Sequence, residues 1–177
     1  MAPSQGERVG DRPERVWYAV STRSRHEKVV EMGLFDQGVT TFMPVREVIS
    51  QWKDRKKRVL LPLFPGYVFT HISLPEDRLK VLKVPGVVRF ISINGTPTPV
   101  PAEQIDSVQI FVREKIRFDP YPYLREGQRV EVRRGSLKGV QGILVQKKNR
   151  FKLVLSVDLI FQSISVEIDA CDVEPIS

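Results

Sequence analysis

The chain has 177 residues, enough for one ordinary domain or two small ones, and its 41% hydrophobic and 28% charged content is typical of a globular protein. No apolar run approaches the roughly 20 residues of a membrane-spanning helix, and residues 1–16 lack the apolar core of a secretory signal, so we expect a cytoplasmic protein. A single cysteine excludes an intramolecular disulfide, and with only two histidines a metal site is not expected, whereas the net charge of +7 favours polyanionic partners.

The first predicted elements are a strand and a capped helix. Residues 16–22, VWYAVST, are rich in β-formers and predict a strand. Ser24, followed three residues later by Glu27, forms a capping box that predicts a helix start at Ser24. Apolar residues then recur on one helical face, and Gly38 is placed to end the helix.

An extended segment and a basic turn follow. Residues 40–50 have the composition of extended chain, in which Pro44 favours a sheet edge or a bulge. Residues 53–58, KDRKKR, pack five basic side chains around Asp54 and form the densest charge run in the chain. We interpret this run as a turn or hairpin arm, and a solvated hairpin tip is its simplest explanation.

Residues 61–69, LPLFPGYVF, combine three aromatic residues with two prolines and a glycine. Strand alternation would place Pro65, Tyr67 and Phe69 on one face and Val68 on the other. Alternation alone favours burial of both faces between layers, and the alternative is an aromatic face exposed to a partner.

The remaining elements complete an N-terminal unit of the order β-α-β-β-α-β-α. Pro75 predicts the first turn of a short helix, and residues 87–93, VVRFISI, predict a strand. Pro101 can open a last helix after a proline-rich loop.

The chain then changes character. Residues 114–124 contain two prolines and no helical period, which predicts a semi-rigid linker. Short β-type runs separated by glycine-containing or polar turns follow from Gly127 and predict a small all-β barrel. The predicted organisation is therefore a flexible tail at 1–15, an α+β domain at 16–113, the linker, and a β-barrel domain at 125–177.

Catalytic motifs are absent from the sequence. It contains no phosphate-binding glycine loop, zinc-protease helix or nucleophile elbow. His26, His71 and Cys171 are far apart in the chain and do not form a recognisable triad. We therefore expect no enzyme, no catalytic residue and no cofactor.

One alternative is a stand-alone RNA-binding module. Residues 66–69 match the Gly-aromatic-x-Phe strand of RNA-recognition domains. The match fails at Pro65, where Lys or Arg is expected, at Val68, and at Ile72, which replaces a stacking aromatic residue. RNA stacking is thus the weaker interpretation of this strand.

Four motifs in order, WYAV, PLFPGYVF, VPGVVRFI and GQRVEVRRGSLKGVQGILV, resemble the NusG family over residues 16–176. The resemblance implies an α+β fold: an N-terminal NGN domain, an α/β sandwich with a mixed sheet and flanking helices, followed by a small SH3-like β-barrel, the KOW domain. The segments TRSRHEK and QWKDRKKRVLLPLFPGYVF look most like the specialised UpxY-type antiterminator paralogues.

The resemblance also implies partners. Such an NGN domain docks on the clamp helices of the largest RNA polymerase subunit and suppresses pausing. The residues matching its apolar contacts are Phe64, Pro65, Tyr67 and Phe69. We expect Tyr67 and Phe69 to be exposed anchors whose truncation costs little stability.

Basic residues at 23–28 match the family's face toward the non-template DNA strand, namely Arg23, Arg25, His26 and Lys28. The KOW domain implies a partner of its own, a small-subunit ribosomal protein or the Rho factor. We expect a monomer that does not bind membranes and that acts in antitermination of particular operons, with polysaccharide biosynthesis operons suggested by the UpxY-type likeness. The alternatives are a general housekeeping NusG and, in another class, a stand-alone RNA-binding or ribosome-associated KOW protein.

Overall fold

The computed structural model of the chain describes residues 13–124 and 126–177. Most of the predicted tail at 1–15, and residue 125 at the predicted domain boundary, lie outside the described residues. The N-terminal half contains β1 Val16–Thr22, α1 Glu27–Asp36, β2 Thr40–Phe42, β3 Val45–Trp52, β4 Arg55–Pro62, β5 Tyr67–Ile72, α2 Leu74–Leu82, β6 Val87–Phe90, β7 Ser92–Ile93, β8 Thr96–Pro97 and α3 Ala102–Arg113. The C-terminal half contains β9 Asp119–Tyr121, β10 Gln128–Val132, β11 Gln141–Lys147, β12 Arg150–Val157, β13 Gln162–Ile168 and β14 Val173–Pro175.

A four-stranded sheet in the order β2-β5-β1-β6 forms the centre of the N-terminal half. The longest pairing in it joins β1 and β5, from Val16 opposite Ile72 to Ser21 opposite Tyr67. Every pair is antiparallel, so the prediction of a mixed sheet was wrong. The predicted α+β class is confirmed.

Both faces of this sheet are buried. Successive side chains of β1 and β5 point to opposite faces, and apolar residues occupy positions on each of them. One face carries Val20 and Val68, which share a cluster of buried apolar side chains with Val30 and Leu34 of α1. The other face carries Ala19 and Phe69, in a second cluster that includes the buried residues of α3, namely Ile105, Val108 and Phe111. The sequence pattern predicts Ile105, Val108 and Val112 on the apolar face. In the structure Phe111 is buried beside Ile105 and Val108, whereas Val112 is only partly buried.

Helix α1 begins later than predicted, and the capping-box interpretation was wrong. The residue preceding the helix is His26, not Ser24, and it makes no side-chain capping hydrogen bond. Arg25 adopts a left-handed conformation with φ of 61°, which turns the chain between Ser24 and the helix. The Ser24 carbonyl accepts a hydrogen bond of 2.8 Å from His26 Nδ1 instead.

The predicted extended segment at 40–50 divides at Pro44. Its first part, β2, joins the central sheet, and its second part, β3, pairs with β4 in a separate hairpin. Proline lacks a backbone N–H and cannot continue a ladder, so this break has a simple cause. The basic run at 53–58 forms the tip of the hairpin and the start of β4, as predicted.

The C-terminal half is a six-stranded antiparallel sheet in the order β14-β10-β11-β12-β13-β9. Its all-β class is confirmed, but the hydrogen-bonded ladder among the described strands is open, with β14 and β9 at its two edges. Strand β9 lies inside the segment that was predicted to be a linker, because Asp119–Tyr121 pair with β13. Only residues 114–118 therefore separate α3 from the C-terminal sheet.

The two halves pack against each other. One cluster of buried apolar side chains includes Phe64 and Phe69 together with C-terminal residues such as Leu155 and Ile160. At its rim, Gln104 Nε2 donates to Asp158 Oδ2 at 3.0 Å. The Asp158 backbone N–H donates in return to Gln104 Oε1 at 3.2 Å.

Across the described ranges, none of the helices has the length and apolar character needed to cross a membrane.

Asp77 ties the start of α2 to the entry of β1. Its buried carboxylate is 3.4 Å from Arg15 Nη1, accepts a hydrogen bond of 3.1 Å from Lys80 Nζ, and accepts another of 3.3 Å from the Ser73 backbone N–H. Burial acts to raise the pKa of Asp77, but the hydrogen bonds and the charges of Lys80 and Arg15 outweigh it, so the pKa is lowered.

A lowered folded-state pKa stabilises the protein above the unfolded value of about 3.9, and this contribution is lost as pH falls through the folded-state pKa. We expect Asp77→Asn to reduce the free energy of unfolding by about 1–3 kcal/mol at pH 7. The difference from wild type should shrink below about pH 4. Urea unfolding between pH 3 and 7 measures the difference in the free energy of unfolding between the two proteins, and Asp106→Asn, at an exposed position, is the control. A difference that does not depend on pH would contradict the role assigned to the Asp77 carboxylate.

Truncation of Phe69 should be costly, since its side chain is 0% exposed. We expect Phe69→Ala to lower the free energy of unfolding by about 3–5 kcal/mol, because apolar burial is reduced and a cavity is left behind. Leu79, 66% exposed on α2, provides the control, for which Leu79→Ala should change stability by less than about 0.5 kcal/mol. Equal losses of stability in urea unfolding of the two variants would refute the packing described above.

Candidate functional site

The four predicted polymerase contacts lie in and after the turn that joins β4 to β5. Gly66 forms this turn with φ of 86°, a left-handed conformation that glycine adopts without strain. Pro65 is exposed and Tyr67 is half-buried, whereas Phe64 and Phe69 are 1% and 0% exposed. The turn therefore presents Pro65 and part of Tyr67 to solvent.

Phe64 and Phe69 form part of an aromatic stack beneath the turn. Their rings meet edge to face with centroids 5.9 Å apart, and Phe69 also stacks on Phe42 at 6.3 Å. The expectation that Phe69 is an exposed anchor was wrong, because its cluster includes side chains from α3 and the C-terminal half. A role for these two residues in polymerase binding stays a prediction.

The four predicted nucleic-acid contacts occupy the connection from β1 to α1 and the first turn of α1. All four side chains are exposed, namely those of Arg23, Arg25, His26 and Lys28. The Arg23 backbone N–H donates to Gly86 O at 2.8 Å, which fixes this loop against the turn that precedes β6. A side chain at Gly86 would come within 2.9 Å of Val30, so glycine is needed for this close approach.

We call residues 23–28 the basic loop. Backbone and side-chain hydrogen bonds join its two ends to the β4–β5 turn. The Thr22 N–H donates to Gly66 O at 2.9 Å, and the Gly66 N–H donates to Glu27 Oε1 at 2.8 Å. Glu27 is 7% exposed, so its carboxylate makes this bond away from bulk water. The two predicted sets of contact residues thus lie next to each other at one end of the sheet.

Sequence reasoning assigned Glu27 to a capping box and missed its bond to Gly66. The two residues are 39 positions apart, and no local pattern indicates such a contact. It also missed Arg89, an exposed residue opposite Ser21 in the β1–β6 register, whose carbonyl accepts a hydrogen bond of 3.3 Å from Ser21 Oγ. Arg89 lies within an apolar run, so only strand pairing brings it near the basic loop.

The exposed charges of this end are mainly cationic, and Glu31 lies beside them in addition to the buried Glu27. Burial raises the pKa of Glu31, and the nearby charge of Lys28 offsets part of that effect. Within residues 13–124 and 126–177, no group of three or more His, Cys, Asp or Glu side chains is placed to hold a metal ion. The arrangement is suited to contact with an anionic polymer beside an apolar turn.

Glu27 should control how rigidly the turn is held. We expect Glu27→Ala to free the Gly66 amide, to accelerate its hydrogen exchange, and to lower the free energy of unfolding by about 1–3 kcal/mol. Glu27→Gln keeps an acceptor oxygen and should have a smaller effect. Unchanged exchange at Gly66 in the alanine variant, measured by NMR, would show that this bond does not hold the turn.

Comparisons with known proteins show which family this chain is similar to. A family model described as "Transcription termination factor nusG" matches residues 15–109. The "Transcription termination/antitermination protein NusG" of Borreliella burgdorferi is 29% identical over 183 residues, covering 92% of this chain and 99% of the relative. The protein of the same description from Halalkalibacterium halodurans is 26% identical over 179 residues, with coverages of 92% and 99%.

A solved structure described as "Domain interaction in Thermotoga maritima NusG" is 20% identical to this chain, with a TM-score of 0.49 and coverages of 93% of this chain and 98% of that one. The matched family is described as a transcription termination factor and not as an enzyme, in agreement with the expectation from the sequence. Because the family match spans more than half of the 177 residues, this protein belongs to the NusG family.

Proposed function

We propose that this protein is a transcription termination/antitermination factor that binds RNA polymerase and the non-template DNA strand together, and that it suppresses pausing or termination. Relatives covering 92% of the chain bear the description "Transcription termination/antitermination protein NusG", which supports the general function. The single observation that carries the two-partner proposal is the hydrogen-bonded junction of the Gly66 turn with the loop that follows β1.

That junction holds an apolar surface and a cationic surface at a fixed spacing. Pro65 and Tyr67 offer apolar surface of the kind that anchors protein interfaces, while Arg23 and Arg25 offer charge to phosphates. Because Thr22 and Glu27 both bond to Gly66, the two surfaces are held side by side. A factor that contacts the clamp helices of the polymerase and a DNA strand beside them needs such a fixed pair.

The burial of Phe64 and Phe69 restricts how docking can proceed. In this conformation a partner can reach Pro65 and the exposed part of Tyr67, and it can reach Phe64 or Phe69 only if the shared apolar cluster opens. We therefore assign first contact to Pro65 and Tyr67, with Phe64 and Phe69 as contacts that require opening.

The finer parts of the proposal rest on the sequence motifs. We propose a specialised, UpxY-type role in particular operons, with polysaccharide biosynthesis operons as the first to test, and a general housekeeping role as the alternative. A ribosomal protein or Rho is the proposed partner of the C-terminal half, and the cytoplasm is the proposed location. Deletion of the gene followed by transcript profiling separates the two roles, since a specialised factor should affect one or a few operons.

The test of polymerase binding uses purified core RNA polymerase and the full-length protein. We expect Tyr67→Ala to weaken binding by about 10- to 30-fold, as for the loss of a central aromatic anchor. Leu79→Ala is the matched control, since Leu79 is apolar and exposed on α2, outside the turn. Melting curves of both variants must match wild type closely enough that each is folded during the assay.

Wild-type protein that does not bind polymerase but does bind RNA would overturn the proposal in favour of a stand-alone RNA-binding protein. Equal loss of binding in the Tyr67 and Leu79 variants would show that the β4–β5 turn is not the docking surface.

Contact with the non-template strand is tested separately through its salt dependence. Arg23→Gln combined with Arg25→Gln should weaken binding of single-stranded DNA by the polymerase-bound protein. The slope of log K against log salt should become shallower by about 0.7 for each phosphate that the variant no longer neutralises. Lys147→Gln combined with Lys148→Gln removes the same charge from the β11–β12 turn and should leave the slope unchanged; a slope altered equally by both pairs would contradict the assigned site.

A further inference from the structure

Within the described residues, the β3–β4 hairpin is a separate two-stranded sheet that pairs with neither of the two larger sheets. Its eight residue pairs run from Val45 opposite Pro62 to Trp52 opposite Arg55. Among the strands that the structure describes, β3 and β4 pair only with each other. At about 3.3 Å per residue the ribbon is roughly 26 Å long. We call residues 45–62 the basic arm.

The tip of the basic arm carries a dense and largely uncompensated positive charge. Five exposed cations surround Asp54, namely Lys53, Arg55, Lys56, Lys57 and Arg58. In the described part of the chain, only Arg58 among them has an ion-pair partner, Glu47 at 3.5 Å. An exposed pair of this kind is worth little, so the tip gains almost no stability from its own charges.

Lys53 lies in the turn, and the four cations of β4 are divided between the two faces of the ribbon. Directly opposed residues share a face, and faces alternate along each strand. The register therefore places Arg55 and Lys57 on one face, and Lys56 and Arg58 on the other. A ligand that uses all four must have negative charge on both sides of the ribbon.

Large apolar side chains accompany the charge on both faces. Trp52 and Leu61 lie on the face of Arg55 and are 67% and 39% exposed, whereas Ile49 and Leu60 lie on the opposite face and are 67% and 50% exposed. A two-stranded ribbon with solvated apolar side chains is marginal on its own. Contact with a partner along its length would remove this surface from water.

These features match the major groove of duplex DNA. The groove is about 12 Å wide, admits a two-stranded β-ribbon, and is flanked on both sides by phosphates. Its floor offers thymine methyl groups to apolar side chains such as Trp52. Duplex RNA is a poorer match because its major groove is deep and narrow. A flat acidic protein surface would engage the cations of only one face.

We propose that the basic arm binds duplex DNA by entering its major groove, with the cations of its two faces contacting the two flanking phosphate backbones. This contact is separate from the Gly66 turn and the basic loop, and it does not require RNA polymerase.

The test uses the full-length protein and a fluorescein-labelled 20-base-pair DNA duplex of mixed sequence at about 50 mM salt, followed by fluorescence anisotropy. Two double variants address the faces separately: Arg55→Gln with Lys57→Gln, and Lys56→Gln with Arg58→Gln. We expect each to weaken binding by at least about tenfold and to reduce the slope of log K against log salt by about 1.8, for two phosphates each.

The control pair Lys147→Gln with Lys148→Gln removes the same net charge and should change affinity by less than about twofold. Because all of the altered side chains are exposed, the melting temperatures should stay near that of wild type. Binding that falls in only one face variant, in neither, or equally in the control would overturn insertion into the groove and leave the arm a solvated tip or a one-sided contact.

Two further measurements fix the ligand. Competition by unlabelled duplex RNA or single-stranded DNA of the same sequence should be at least tenfold weaker than competition by duplex DNA, and equal competition would overturn the assignment. Trp52 fluorescence should be quenched by duplex DNA, with the quenching abolished in Trp52→Phe. Polymerase is absent from these assays, so their failure would leave the proposal for the Gly66 turn untouched.

Discussion

The antiparallel pairing of β1 with β5 is the constraint on which the candidate site depends. In this register Ser21 near the end of β1 lies opposite Tyr67 at the start of β5. The chain must therefore leave β1 at the same end of the sheet at which it enters β5. The basic loop and the β4–β5 turn become neighbours for this reason, and the Glu27 carboxylate then locks them together through Gly66. The strand pairing alone is enough to place the two segments side by side.

The central position of β5 in the sheet also explains why the predicted docking residue Phe69 is buried. A central strand has two faces, and both faces of β5 are covered in this structure. Val68 and Ile72 belong to the cluster beneath α1 and α2, while Phe69 belongs to the cluster shared with α3 and the C-terminal half. An aromatic residue at a strand centre contributes to stability when covered and to binding when uncovered. Its role therefore depends on what lies over the sheet.

The protein has two cationic surfaces, the basic loop and the basic arm, and they are built differently. The basic loop is held at its start by the bonds from Thr22 to Gly66 and from Arg23 to Gly86, and at its end by the bond between the Glu27 carboxylate and the Gly66 N–H. The strands of the basic arm pair only with each other among the described strands, Val45 at its base packs against the cluster beneath α1, and its charges are spread over two faces. A fixed loop suits contact with a strand whose position is set by another protein. A self-paired ribbon with charge on both faces suits a ligand that surrounds it.

The sequence by itself determined several of the elements and indicated the family. The β-forming residues of β1, the apolar period of α3 and the proline in the first turn of α2 are local patterns, and each formed the predicted element because local backbone preference and burial agreed. Ordered motifs in both halves indicated the NusG family, which the family match confirmed. The assignment of Pro65, Arg23 and Arg25 to contact surfaces came from the family resemblance, and all three side chains are exposed in the structure.

Only the tertiary structure decided which of those residues a partner can reach. The Glu27–Gly66 bond spans 39 residues and the Gln104–Asp158 pair spans 54, and no local signal predicts either. The cover over Phe69 comes from elements distant in the chain, so an exposed and a buried aromatic strand have the same sequence pattern. Strand β9 formed inside a predicted linker because β13 had a free edge to pair with. Local sequence sets periodicity and turn chemistry, whereas burial and long-range hydrogen bonds depend on which surfaces the folded chain brings together.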